Sequence, residues 1–244
     1  MKPSPRILRK SLLAGAREAQ GVAVVIDVLR AFTTAAYMMH LGAKEIVLLA
    51  RAKEVLQYKE ETGCLAVGEV DGKQVAGFDL GNSPSAVLAA GRALFAGRRV
   101  AQRTSAGATG AVAASQRADV VVLGSYVTAQ ATAHYIQGLS PSPEVVSLVA
   151  MGDIGKYVTP DDERCADYLH YLLTGHLYDH TSALHEIVEH ECTQKFLHGN
   201  YAHYPPEDTI YCLQRDLFDF VMVATLETGT LVAHRIDGSR EERR

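Results

Sequence analysis

The sequence contains little that points to a membrane, a structural metal ribbon or a polyanionic partner. No uncharged apolar run approaches the ~20 residues needed to cross a bilayer. The basic residues 1–10 precede an apolar stretch, residues 11–15, that is too short for a signal-peptide core. The four cysteines (Cys64, Cys165, Cys192, Cys212) are far apart and form no Cys-x-x-Cys pair, which argues against a zinc ribbon or a disulfide framework. A formal net charge of -4 gives no electrostatic case for binding nucleic acid. No Gly-x-x-x-x-Gly-Lys-Ser/Thr loop is present, so a P-loop nucleotidase is not expected. There is no internal repeat or low-complexity segment. What remains is an ordinary globular balance, 48% hydrophobic and 21% charged, and the expectation is a cytoplasmic protein that contacts neither membrane nor nucleic acid.

Strand and helix signals alternate through the first two-thirds. Residues 22–27 are a continuous β-branched run, the pattern of a strand buried on both faces. Residues 45–49, 65–67, 99–102, 119–123 and 145–149 read as further strands. Helices are expected over 33–41, 52–61, 85–91, 107–115 and 128–137, with a Gly-rich loop over 68–84 and Pro84 at a helix start. This order predicts a layered α/β/α fold with a largely parallel or mixed sheet. After Pro160 helices dominate, over 161–173, 182–197 and 208–213, before a closing hairpin at 220–224 and 230–233 and a frayed tail at 239–244. The division expected is an α/β region, 1–158, carrying the site, and a helix-rich region, 159–244, as a second lobe of the same fold. A homo-oligomer is left open.

Ligands of open α/β sheets collect beyond the carboxyl ends of the strands. Past the first strand lie Asp27, Arg30, Thr33 and Thr34. Past the third lie Glu69, Asp79, Asn82 and Ser83. Past the fourth come Arg103, Thr104 and Ser105, and past the fifth Ser125. The carboxylates suit a hard divalent cation. Hydroxyls and amides at helix starts suit phosphate oxygens, and the arginines suit an anion. Singly, each has a plainer reading: Asp27 as a helix cap, Gly81-Asn-Ser-Pro84 as a turn, the arginines as surface ion pairs. Their recurrence at successive strand ends is what favours an anion site.

Val25-Ile-Asp-Val-Leu-Arg-Ala-Phe-Thr-Thr34 resembles the opening signature of the 2-phosphosulfolactate phosphatases, and Gly77-Phe-Asp-Leu-Gly-Asn-Ser-Pro84 resembles their longest motif. Thr159-Pro-Asp-Asp-Glu-Arg-Cys-Ala166 is similar to the family's Glu-Asp-x-x-Cys-Ala segment, and Asp208-Thr-Ile-Tyr-Cys212 to an Asp-Cys segment near its C-terminus. The resemblance spans almost the whole chain in the family's order. It implies an α/β, Mg²⁺-dependent phosphatase that releases phosphate from 2-phospho-3-sulfolactate to give 3-sulfolactate, a step towards coenzyme M. By matched motif, Asp27, Arg30, Glu69, Asp79, Asn82 and Ser83 become site candidates. The expected arrangement has Asp27, Glu69 and Asp79 on one Mg²⁺, with Arg30 and helix-start donors on the phosphate. Asp27, Arg30 and Glu69 are the catalytic candidates. Thr33, Thr34, Asn82, Ser83, Thr104, Ser105 and Ser125 are expected to bind substrate, and Arg103 its second anionic group.

Two departures bear on the substrate. The family's Gly-Glu-Arg is Gly68-Glu69-Val70 here, and its Thr-Thr-Asn-Gly-Thr is Arg103-Thr-Ser-Ala-Gly107. A different small anionic phosphoester, or an inactive anion-binding module on the same fold, therefore stands as the alternative. A haloacid-dehalogenase mechanism is disfavoured because position 29 is Leu, leaving no Asp-x-Asp. The histidines at 176, 180, 185 and 190 suggest a zincin, but His185-Glu-Ile-Val-Glu-His190 has the wrong spacing and Gly175 interrupts the helix before His176. An exposed polar helix is the expectation there.

Overall fold

The computed structural model describes residues 5–199 and 201–238; the expected frayed tail lies outside them. Strand β1 (Arg6–Ser11) and a short α1 (Leu12–Arg17) lead into β2 (Val22–Ile26), α2 (Ala31–His40), β3 (Glu45–Leu48), α3 (Ala52–Thr62), β4 (Leu65–Val70) and β5 (Lys73–Gln74). Next come α4 (Pro84–Ala90), α5 (Arg92–Phe95), β6 (Arg99–Arg103), α6 (Gly107–Ala114), β7 (Val120–Gly124), α7 (Ala129–Gly138), β8 (Val145–Ala150) and α8 (Pro160–Thr174). The chain ends with α9 (His180–Glu189), α10 (Glu191–Leu197), α11 (Glu207–Leu213) and the hairpin β9 (Phe220–Glu227) and β10 (Thr230–Asp237).

The ten strands form one mixed sheet in the order β1-β8-β2-β7-β9-β10-β3-β6-β4-β5. Its two parallel blocks, β1-β8-β2-β7 and β3-β6-β4, are joined through the antiparallel β9–β10 hairpin. The hairpin expected to close the chain is present, and it lies in the middle of the sheet. Residues at the carboxyl ends of β2 and β8 and of β4 and β6 line one cavity.

Alternation along the strands explains the layers. On β2, Val22, Val24 and Ile26 enter one apolar cluster, with residues of α7 and α8, while Ala23 and Val25 enter another, with α1, α2 and α6. On β9, Val221 and Val223 join the first cluster and Phe220 and Met222 the second. Helices therefore cover both sheet faces, as the buried β-branched runs predict. A smaller cluster under α3 joins Val55 to Ala66 and Ala101.

Several boundaries follow directly from local chemistry. Ser83 caps α4 by accepting from Ala86 N at 3.3 Å, with Pro84 at the first helical position. Gly63 and Gly175 end α3 and α8 in the left-handed conformation. Two elements differ from expectation. The helix expected over 182–197 is broken at His190, which is extended and accepts from Cys192 N through its ring, splitting α9 from α10. Residues 6–11 form β1 on β8, although their basic character hides the strand. Among the described residues, no helix is long and apolar enough to cross a membrane.

Candidate active site

A cavity of about 220 Å³ opens where the two blocks meet. Its walls carry Asp27 and Arg30 from the β2–α2 loop, Glu69 from β4, Asp71 and Gly72 from the turn that follows, and Asn82 from the loop before α4. Thr104, Ser105 and Ala106 contribute from the β6–α6 loop, Gly152, Asp153 and Ile154 from beyond β8, and Lys195, Phe196 and Tyr204 from the C-terminal third.

Asp27 sits where two helices start. Its Oδ1 accepts from Ala31 N at 2.9 Å, at the beginning of α2, and the Gly107 amide at the beginning of α6 also donates to it. Gly107 is required by this approach, since a Cβ there would lie 2.7 Å from Asp27 Oδ2. Burial raises the Asp27 carboxyl to about 7 despite these amides, with Asp161 and Glu69 adding repulsion. Behind it, Asp161 and Asp162 open α8 and tie the strand-end loops together. Asp162 accepts from Val28 N and Gly152 N, both at 2.7 Å, and Asp161 from Leu29 N at 3.1 Å. Burial raises both of these carboxyls too, and Asp162 is pushed further up by Asp161 and Asp27.

Glu69 acts as a clasp. It accepts from Gly72 N and Ser105 N, each at 2.7 Å, and from Ser105 Oγ at 3.1 Å, so it fixes two loops of the cavity wall. Thr104 Oγ1 accepts from Ala108 N at 2.9 Å and caps α6. Arg30 is 4% exposed and pairs with the fully buried Asp208 at 2.8 Å. It also donates to His203 O at 2.9 Å and lies over the rings of Phe196 and Tyr204. Asp208 in turn accepts from Ser83 Oγ, Ser85 N and Ser85 Oγ at 2.6–2.9 Å.

Of the residues singled out in the sequence, the cavity gathers Asp27, Arg30, Glu69, Asn82, Thr104 and Ser105. Six others lie off its wall. Asp79 is exposed and bonded to Lys59 at 2.9 Å and Ala66 N at 2.7 Å, so it pins its loop to α3 and β4. Thr33 Oγ1 donates to Val28 O at 2.9 Å inside the core, and Thr34 and Ser125 are fully buried without hydroxyl partners. Ser83 is held by Asp208. Arg103 is turned under the loop onto Glu69 O, Ala50 O and Ser105 Oγ. Asp79, Thr33, Ser83 and Arg103 are thus held by other groups of the protein.

Sequence reasoning missed Asp71, Asp153, Lys195, Phe196 and Tyr204 as cavity residues, and Asp208 as the partner of Arg30. Only Asp208 carried a signal, through its Asp-Cys segment. His176 stacks on His170 outside any helix and His180 starts α9, and among the described residues no His, Cys, Asp or Glu group of three is placed to hold a metal.

A Mg²⁺ ion nevertheless suits this donor set, because it needs only one or two protein oxygens beside water and substrate phosphate. Asn82 Oδ1 is buried on the cavity wall without a hydrogen-bond partner among the described residues. Asp27 presents a carboxyl that burial strains towards protonation. The wall holds four carboxylates (Asp27, Glu69, Asp71, Asp153) against two cations (Arg30, Lys195), an imbalance a divalent cation would correct.

The family model for 2-phosphosulpholactate phosphatase matches residues 7–227. A protein of Bacillus subtilis (strain 168), described as a probable 2-phosphosulfolactate phosphatase, is 32% identical over 201 residues, 82% of this chain and 85% of its own length. A protein of Caldicellulosiruptor saccharolyticus with the same description is 31% identical over 215 residues, 82% and 87% of the two chains. A third so described, from Deinococcus radiodurans, is 39% identical over 153 residues, 62% of each chain.

Proposed function

The chain belongs to the 2-phosphosulpholactate phosphatase family, and from that premise we propose that it is a phosphoric monoester hydrolase acting on 2-phospho-3-sulfolactate with Mg²⁺. The observation that carries this reading is the convergence of Asp27, Arg30, Glu69 and Asn82, matched to family motifs, with Thr104 and Ser105 of the altered loop, on one small polar cavity. A volume of about 220 Å³ suits a three-carbon substrate rather than a nucleotide.

Asp27 and Asn82 would hold the cation through their side-chain oxygens. When bound, Mg²⁺ supplies positive charge that neutralises the phosphate and polarises it for attack by water. Arg30, already matched by Asp208, brings directional N–H donors with little added net charge, and its aromatic bed holds it rigidly. The helix starts at α2 and α6 direct amide dipoles into the same space. Glu69 lines the cavity and keeps Ser105 and the Gly72 turn in register. Asp161 and Asp162 hold the β2–α2 and β8–α8 loops against each other, and so set the position of Asp27.

The test is phosphate release from a panel of small phosphate esters by purified protein with Mg²⁺. Turnover of 2-phospho-3-sulfolactate that disappears with chelator and with Asp27→Asn supports the proposal. Preference for an ester without a sulfonate, or turnover untouched by Asp27→Asn, overturns it.

A further inference from the structure

Two positive side chains face the cavity, and their circumstances are opposite. Arg30 is 4% exposed and its charge is matched by Asp208 at 2.8 Å. Lys195, in the last turn of α10, is 30% exposed on its side chain and its only ion pair among the described residues is with Asp153 at 3.8 Å, beyond hydrogen-bond distance. Asp153 is itself 51% exposed, so water screens that pairing. The ammonium lies 5.0 Å from the ring centroid of Tyr204 and 5.8 Å from that of Phe196, the same two rings that support Arg30. The ammonium therefore rests against two aromatic faces, with one exposed carboxylate beyond hydrogen-bond distance.

Arg103, the sequence's candidate for the substrate's second anion, is not available for that role. Its guanidinium is bonded to Ala50 O, Glu69 O and Ser105 Oγ beneath the loop. With the phosphate assigned to Asp27, Arg30, Asn82 and the α6 start, we propose that Lys195 binds the sulfonate of the substrate and sets the enzyme's selectivity for sulfonated phosphoesters. This rests on the phosphatase reading and extends it.

The chemistry of the two groups fits. A sulfonate is a tetrahedral array of three weakly basic oxygens that any well-placed cationic donor can meet. A compact ammonium with three rotatable donors on a flexible stem accommodates it. On binding, the sulfonate takes Lys195 from Asp153, and Asp153, being exposed, returns to water at little cost. Ile154 and the rings of Phe196 and Tyr204 line the cavity beside that contact.

The experiment compares wild type, Lys195→Gln and Lys195→Arg on 2-phospho-3-sulfolactate and on 2-phospholactate, which keeps the carboxylate and phosphate but lacks the sulfonate. Lys195→Gln should raise KM for the sulfonated ester at least tenfold, with kcat changed less than threefold. The selectivity ratio, kcat/KM for the sulfonated over the unsulfonated ester, should fall at least tenfold, and Lys195→Arg should recover part of it. An equal loss on both esters would assign Lys195 to a shared group and overturn the proposal, as would a fall in kcat without a rise in KM. Calorimetric binding of 3-sulfolactate and of lactate is measured alongside. If wild type turns over neither ester, the phosphatase reading fails; weaker 3-sulfolactate binding by Lys195→Gln, with lactate binding less affected, would still support the sulfonate contact. Unchanged 3-sulfolactate binding, or none to wild type, would remove it.

Discussion

Asp27 works within tight steric and electrostatic limits. Gly107→Ala would place a methyl 2.7 Å from its Oδ2, so either the carboxylate or the start of α6 must shift. An overpacked buried site costs about 1–3 kcal/mol; the expected outcome is a lower melting temperature and a kcat reduced by at least tenfold, while circular dichroism remains that of the wild type. Asp208 offers a second case. Asp208→Ala leaves Arg30 buried without its counter-charge, which typically costs about 3–5 kcal/mol, and chemical denaturation should register a loss of that order. A loss below ~1 kcal/mol would mean that the Arg30–Asp208 pair is far less buried in solution. At this scale the sequence was only half legible. The backbone-proximal residues Asp27, Asn82, Thr104 and Ser105 could be read because strand ends and helix starts place them. Asp79 and Arg103 could not be told from ligands, because their true partners, Lys59 and the carbonyls of Ala50 and Glu69, are set by tertiary packing.

The elements that complete the cavity come from opposite ends of the chain. The loops at the ends of β2, β4, β6 and β8 supply the polar floor, and those strands were read from the sequence. The segment from α10 to Tyr204 supplies the aromatic wall, and nothing in its local pattern reveals that it folds over a loop more than a hundred residues earlier. Tyr204 packs against both Arg30 and Lys195 and occupies the space that a side chain at Gly72 would need. Tyr204→Ala should therefore raise KM by about tenfold or more, as expected for losing ~1–2 kcal/mol of cation–π support at a desolvated site, with a smaller change in kcat. A loss confined to kcat would contradict the wall's role in binding. The hairpin β9–β10 teaches a related lesson. Its alternation identified it as two paired strands, but pairing with β7 and β3 in the sheet centre is a non-local fact. Val223→Asp, at a buried position in the centre of the sheet, should abolish soluble expression rather than merely trim the C-terminus.

Across the whole molecule, the fold brings together buried acids without enough bases. Burial lifts Asp27 to about 7 and raises Asp161 and Asp162 as well. A carboxyl whose folded pKa is raised binds more protons in the native state than in the unfolded state. Its contribution to stability is thus full below the unfolded value, near 4, and is lost as pH rises through the folded value, near 7 for Asp27. The cation-free protein should accordingly melt at a lower temperature at pH 8 than at pH 5. Mg²⁺ should restore stability at pH 8 more than at pH 5, and Asp27→Asn should flatten both effects. Melting curves at the two pH values, with and without the ion, check this directly. A cation-free protein that is more stable at pH 8, or Mg²⁺ that stabilises equally at both, would contradict it. The layered α/β/α architecture was legible from the alternation of runs, and the acidic cluster was not, since its members are far apart in sequence. Within the cavity, Asp27 and Asn82 form the proposed cation site, with Arg30 at the phosphate. Diffraction from crystals soaked with Mn²⁺ in place of Mg²⁺ and with a phosphate analogue tests it most directly. The prediction is an anomalous peak at ~2.0–2.3 Å from Asp27, with Asn82 at or near the ion and the analogue beside Arg30. An ion bound outside this cavity, at Asp79 for example, would contradict it.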